Sequence, residues 1–208
     1  MSSGYFTVTE RAENTTVIER SKFICSISGV KDEAEAKEFI EKVRKTHSLA
    51  NHNCYAYIAD DKGLIQKFSD DGEPQGTAGL PMLEVLKNKK MYKTVAVVTR
   101  YFGGIKLGTG GLTRAYGGAV SDVLALAKIA DMQQADILKT VLDYEGYSRL
   151  IKLLSVQDVA VIDTEFDNQV QVKFAVKSEI KDKVLSKLID AFNGKIEVCQ
   201  LSKEYYPF

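Results

Sequence analysis

The stretch Thr94–Val120, TVAVVTRYFGGIKLGTGGLTRAYGGAV, decides how the N-terminal part of the chain folds. Its opening TVAVVT is a nearly continuous apolar run, which suits a central strand covered on both faces. The glycine-rich segment after it turns the chain into a helix expected from about Gly111 to Ile129. Seven of the 15 glycines fall between Gly103 and Gly118, so flexibility is concentrated at one strand-to-helix junction. Gly117 and Gly118 lie inside the helical pattern, where each costs roughly 1 kcal/mol relative to Ala. That cost predicts close backbone approach by a neighbour.

Working outward toward the N-terminus, residues 5–8 and 22–30 are rich in aromatic and β-branched residues and predict strands. Ala36, Phe39, Ile40 and Val43 have helical spacing, with Asp32 placed to cap that helix. Residues 53–59 and 64–68 predict a hairpin around the Asp60-Asp61-Lys62-Gly63 turn. A polar loop, SDDGEPQGTAG (Ser69–Gly79), leads to a short helix near Pro81–Lys87.

Working outward toward the C-terminus, composition changes across residues 130–136. Beyond it, periodicity predicts strand 137–144, helix 147–155, strands 159–166 and 169–176, helix 180–192 and strand 195–201. Asp167-Asn168 is the expected hairpin turn. The order is β-α-β-β-α-β, the ferredoxin-like arrangement. The chain therefore divides into two domains, residues 1–134 and 135–208, of α+β class.

The 208 residues carry no formal net charge, which argues against general electrostatic capture of nucleic acid, with no preference for DNA evident. Three sparse cysteines, Cys25, Cys54 and Cys199, form no disulfide framework and fit a reducing, cytoplasmic setting. The sequence MSSGYFTVTERAEN has no signal-peptide pattern, and no apolar run is long enough to span a membrane. Nothing in the pattern specifies an oligomeric state.

Three segments can carry chemistry. Between Val85 and Ser121 lie Lys87, Lys89, Lys90, Lys93, Arg100, Lys106 and Arg114, with no Asp or Glu. Tyr92, Tyr101, Phe102 and Tyr116 are interleaved and suited to stacking on bases. A glycine loop entering a helix presents unpaired N–H groups to an anion. The expected anion or nucleic-acid site therefore comprises Arg100, Tyr101, Gly103, Gly104, Lys106, Gly108, Thr109, Gly110, Gly111 and Arg114. The spacing matches neither a P-loop nor the GxGxxG fingerprint. A tight loop with close helix-on-sheet packing accounts for the same glycines.

The second segment is Asp70-Asp71-Gly72-Glu73, whose carboxylates can hold Mg²⁺ through waters or can simply form a solvated turn. No other cofactor is expected. The third is His47 to Cys54, which holds both histidines, His47 and His52. Its spacing matches no zinc pattern, and a buried structural Cys54 is favoured over a thiol nucleophile. His52, Asp70, Asp71 and Glu73 together form a second candidate site.

HNCYAY (His52–Tyr57), SDDGEPQGTAG and TRYFGGIKLGTGGLTRAYGGAV (Thr99–Val120), with RSKF (Arg20–Phe23), resemble the signature segments of the IMPACT family, the YigZ-like proteins. The resemblance implies an N-terminal domain like the second domain of ribosomal protein S5. It implies a C-terminal domain like domain V of elongation factor G, a ferredoxin-like module. Both relatives act on RNA and the ribosome, so RNA or the ribosome is the expected partner. The resemblance also implies a translation-related role; no reaction is settled for the bacterial members. Eukaryotic members regulate initiation through an added N-terminal domain, so that partner activity is not expected here. The competing expectation is an enzyme acting on a phosphorylated or nucleotide ligand with Mg²⁺ at Asp70–Glu73.

Overall fold

A computed structural model describes residues 4–155 and 158–208. The fold is mixed α/β in two compact units, Tyr5–Ala130 and Asp131–Phe208, the second also taking in Gly4.

The first unit is built on β1 (Tyr5–Val8), β2 (Ala12–Ile18), β3 (Ser21–Gly29), α1 (Glu33–Thr46), β4 (His52–Ile58), β5 (Gln66–Ser69), α2 (Gly79–Asn88), β6 (Thr94–Tyr101) and α3 (Gly108–Leu126). Its five-stranded sheet has the order β2-β3-β6-β4-β5, antiparallel at every step. The TVAVVT run is the middle strand. Ala96 and Val98 face a core closed by Met82 and Leu86 of α2 and by Tyr116, Val120 and Val123 of α3. Val95 and Val97 face the opposite core, closed by Ala36, Ile40 and Val43 of α1. Two covered faces explain why the strand lacks alternation.

Local signals hold where the chain makes its own caps. Asp32 caps α1, its carboxylate accepting from the Glu35 N–H at 2.9 Å. β4 and β5 form the expected hairpin. Two features differ from expectation. β2, ENTTVI with the preceding Ala, is an edge strand that exposes Glu13, Thr15 and Val17 in alternation. Its polar composition conceals a strand that is held by pairing to β3. α3 starts at Gly108, one turn before the expected Gly111, and Gly108 itself has a φ of +69° where the loop enters the helix.

The second unit runs β7 (Ile129–Leu142), α4 (Tyr144–Leu154), β8 (Val159–Phe166), β9 (Val170–Lys177), α5 (Lys181–Ala191) and β10 (Val198–Pro207), giving the expected β-α-β-β-α-β order. The strands lie in the order β10-β7-β9-β8, all antiparallel. Leu150 and Leu154 of α4 and Val184 and Leu188 of α5 cover Leu138, Val172 and Phe174. α4 begins ahead of the expected Tyr147 because Asp143 caps it, accepting from the Gly146 N–H at 2.7 Å. β7 begins well before residue 137, in a polar run that shows no alternation.

Candidate functional site

The three carboxylates of the Ser69–Gly79 loop have separate tasks. Asp70 accepts from three backbone N–H groups: Ala78 at 3.0 Å and Gly79 at 2.9 Å on one oxygen, Gly76 at 2.9 Å on the other. It thereby caps α2 from a distance, since the Ala78 side chain at the N-cap supplies no acceptor. Asp71 accepts from the Asn53 N–H at 2.7 Å and from Arg44 at 3.1 Å. Glu73 turns inward. Among the described residues, no group of three or more His, Cys, Asp or Glu is arranged to hold a metal ion.

Glu73 and Arg100 form a buried ion pair, at 9% and 5% exposure. One Glu73 oxygen accepts from Arg100 Nη1 and from the Tyr116 hydroxyl, both at 2.7 Å. The guanidinium lies between the rings of Phe23 and Phe102, at 5.3 and 5.4 Å. Its Nη2 donates to Ser21 Oγ at 3.3 Å, and that oxygen also accepts from the Gly103 N–H at 3.1 Å. The acidic loop and the first residue of the glycine loop are thus joined by a chain of hydrogen bonds through one buried arginine. His52 stands at the edge of the pair. Its Nδ1 faces the Asp71 carbonyl at 2.8 Å, so that nitrogen carries the proton, and its Nε2 points toward Glu73 at 3.9 Å.

Cys54 lies behind this network, its thiol donating to the Asp70 carbonyl at 2.9 Å. Burial pushes the thiol up to about 12, so it stays protonated and unreactive at neutral pH. Tyr116 is held far above the usual phenol range, chiefly by burial and then by its neighbour Cys54. The expected stacking role of Tyr116 is therefore corrected. Its ring is fully buried edge-on to Phe23, with centroids 5.4 Å apart. Tyr92 is likewise occupied, stacked on Tyr5.

The glycine segment splits in the same way. Arg100 is withdrawn from any surface ligand by its pairing with Glu73, and the Tyr101 hydroxyl lies 3.1 Å from His47 Nδ1. Gly103 serves packing: a Cβ there would overlap the backbone of Arg20. Gly104 and Gly108 have φ of +85° and +69°, conformations that favour glycine and strain any other residue. Gly110 is different. A Cβ there would meet only Arg114, at 3.7 Å, and its backbone needs no special angle. Gly118 also faces open space, and Gly117 has only ordinary contacts, from 3.7 Å outward. The predicted close approach at that pair is not made among the described residues.

What the tail of the loop does form is a pocket. Lys106, Leu107, Gly111 and Arg114 line an open cavity of about 510 Å³ together with Ile18, Glu19 and Ala115. Lys106 and Arg114 are exposed, and neither side chain has an ion-pair or hydrogen-bond partner among the described residues. Thr109 and Gly110 are exposed in the first turn of α3, which contains no acidic residue and no side-chain cap. The helix therefore presents free N–H groups and its positive end beside two unpaired cations.

Glu19 is the participant that sequence reasoning missed. It reaches the cavity from the turn between β2 and β3, far away along the chain. Ile18 and Ser21 are paired across the strands, so Glu19 and Arg20 form a two-residue turn, with φ of +44° and +64°. Such turns ordinarily use Asn and Gly. Neither the turn type nor its neighbour can be read from a Glu-Arg dipeptide.

Among the described residues, no helix is long and apolar enough to cross a membrane. Residues 19–124 match the Impact N-terminal domain, and residues 140–195 match a domain of unknown function, DUF1949. The IMPACT family member YvyE of Bacillus subtilis is 42% identical over 95% of this chain and 91% of its own. The IMPACT family member YigZ of Escherichia coli is 35% identical over 89% of this chain and 92% of its own. A crystal structure described only as that of a hypothetical protein covers 97% of this chain and 98% of its own, with TM-score 0.61 and 31% identity. With both halves of the chain matched and the likeness extending over nearly the full length of these relatives, the chain belongs to the IMPACT family.

Proposed function

We propose that this protein binds RNA, alone or on the ribosome, as a translation-related regulator in the cytoplasm, and that the pocket at the start of α3 holds phosphate. The observation that carries the reading is the convergence of Lys106 and Arg114, neither paired among the described residues, on one cavity beside the uncapped helix end. Free cations and free N–H groups together suit a phosphate oxygen. The open space over Gly110 leaves room for a backbone to approach. The N-terminal unit is read as ribosomal-protein-S5-domain-2-like. The β10-β7-β9-β8 order of the C-terminal unit supports the ferredoxin-like, elongation factor G domain V-like reading.

Binding is favoured over Mg²⁺-assisted chemistry because Asp70, Asp71 and Glu73 already serve protein donors. Zero net charge makes the affinity local, set by this pocket. The test is RNA affinity as a function of salt for wild type and the K106A/R114A variant. Removing two phosphate contacts makes the slope of log K against log salt shallower by about 1.4 for a single strand. Unchanged affinity and slope would overturn the reading.

A further inference from the structure

The phosphate reading leaves one charge unexplained. Glu19 lines the same cavity as Lys106 and Arg114, yet forms no ion pair with either within 4.0 Å. Opposite charges that share a pocket without closing on each other leave space for something between them. Glu19 is also held in place at a cost, since it and Arg20 occupy a left-handed turn that neither residue type favours. The backbone of Gly103 packs against that turn, and Gly103 is hydrogen-bonded to Ser21 just after it. The turn and the first glycine of the loop are therefore held together by close backbone packing and a hydrogen bond.

A carboxylate beside a phosphate site repels the phosphate, so it weakens every ligand that offers only anionic oxygens. It rewards a ligand that carries a hydrogen-bond donor close to its phosphate, because a carboxylate is an acceptor only. Ribose supplies that donor. The 2′-hydroxyl adjoins each backbone phosphate of RNA and is missing from DNA. The cavity volume of about 510 Å³ suits a unit of nucleotide size.

We infer that Glu19 is the residue that selects RNA over DNA, accepting a hydrogen bond from a ribose 2′-hydroxyl while Lys106 and Arg114 hold the neighbouring phosphate. The inference rests on the phosphate reading above and assigns the specificity of that same pocket. Glu19 acts as a filter: it lowers affinity for a deoxyribose backbone and restores it for a ribose backbone.

The experiment compares wild type, E19Q and K106A/R114A in filter binding to two pools. One is a randomised single-stranded RNA 20-mer, and the other is its 2′-deoxy counterpart. Circular dichroism confirms that each variant is folded. Wild type prefers RNA by about tenfold, the worth of one hydrogen bond to a charged group. E19Q binds the DNA pool more tightly than wild type does, and its preference for RNA falls to about twofold. A purely structural role for Glu19 would instead weaken both pools alike and leave the ratio unchanged, which overturns the inference. An equal gain for RNA and DNA in E19Q also overturns it, since Glu19 would then be only a repulsive charge or a partner for base amines. If K106A/R114A binds both pools as wild type does, the phosphate reading itself fails. If that variant loses affinity while E19Q keeps the wild-type ratio, only the assignment of Glu19 fails.

Discussion

Replacing Glu73 with Ala tests whether the signature loop is held by a buried charge. The substitution removes the ion-pair partner of Arg100, at 2.7 Å, and the acceptor of the Tyr116 hydroxyl, also at 2.7 Å. Arg100 Nε is already buried without a hydrogen-bond partner among the described residues, so Ser21 Oγ is the hydrogen bond that remains to the guanidinium there. Breaking a buried pair from one side costs about 3–5 kcal/mol, mostly from the charge left behind. An orphaned buried hydroxyl adds about 1–3 kcal/mol where no water reaches it. The two costs overlap, because a cavity at residue 73 admits some solvent, so a loss of about 4 kcal/mol is expected. With a urea m-value of ~2 kcal/mol/M for a unit of this size, the midpoint falls by about 2 M. E73Q keeps an acceptor oxygen and loses only the charge, so it should cost roughly half as much. R100M added to E73A removes the orphan charge and should restore about 2 kcal/mol, a non-additivity that a double-mutant cycle reads directly. An E73A midpoint within 0.5 M of wild type (roughly 1 kcal/mol by the same m-value), or strict additivity with R100M, would refute the reasoning.

Gly103 and Gly110 should behave oppositely under substitution by Ala. G103A collides with the Arg20 backbone and lowers the melting temperature, whereas G110A has room and gains about 0.5–1 kcal/mol of helix stability while weakening RNA binding. A stabilised G110A with unchanged RNA affinity would separate that glycine from the site. Asp136 governs part of the acid limb of stability. Burial raises its pKa, but the Ser178 hydroxyl and Lys181 ammonium outweigh that and hold it below the usual carboxylate range. A depressed folded pKa stabilises above the unfolded value of about 3.9 and is lost as pH falls through the folded one. D136N should therefore be less stable than wild type at pH 7, with the difference narrowing below about pH 4 in urea titrations. An equal deficit at every pH would remove ionisation from the account.

Much of the architecture is legible along the chain because its causes are local. TVAVVT marks the central strand, since an apolar run needs no partner to be recognised. Asp32 marks the start of α1, since a cap lies within a turn of what it caps. The elements that escaped are those held by pairing instead of by pattern. β2 is polar and exposed on alternate residues, and the first half of β7 is equally polar. Asp70, Asp71 and Glu73 look alike in sequence, yet one caps a helix, one binds strand β4 and Arg44, and one is buried against Arg100.

The order of elements in the C-terminal unit, the two-unit division and the glycine junction were determined by composition and periodicity, which act over a few residues. Which cations stay free was decided only in three dimensions. Arg100, Lys106 and Arg114 are equivalent basic residues in the sequence. Folding buries Arg100 on Glu73 and brings Lys106, Arg114 and Glu19 to the lining of one cavity. The physical reason is that a charge takes its state from the nearest opposite charge and the water around it, and the chain brings those together from distant positions.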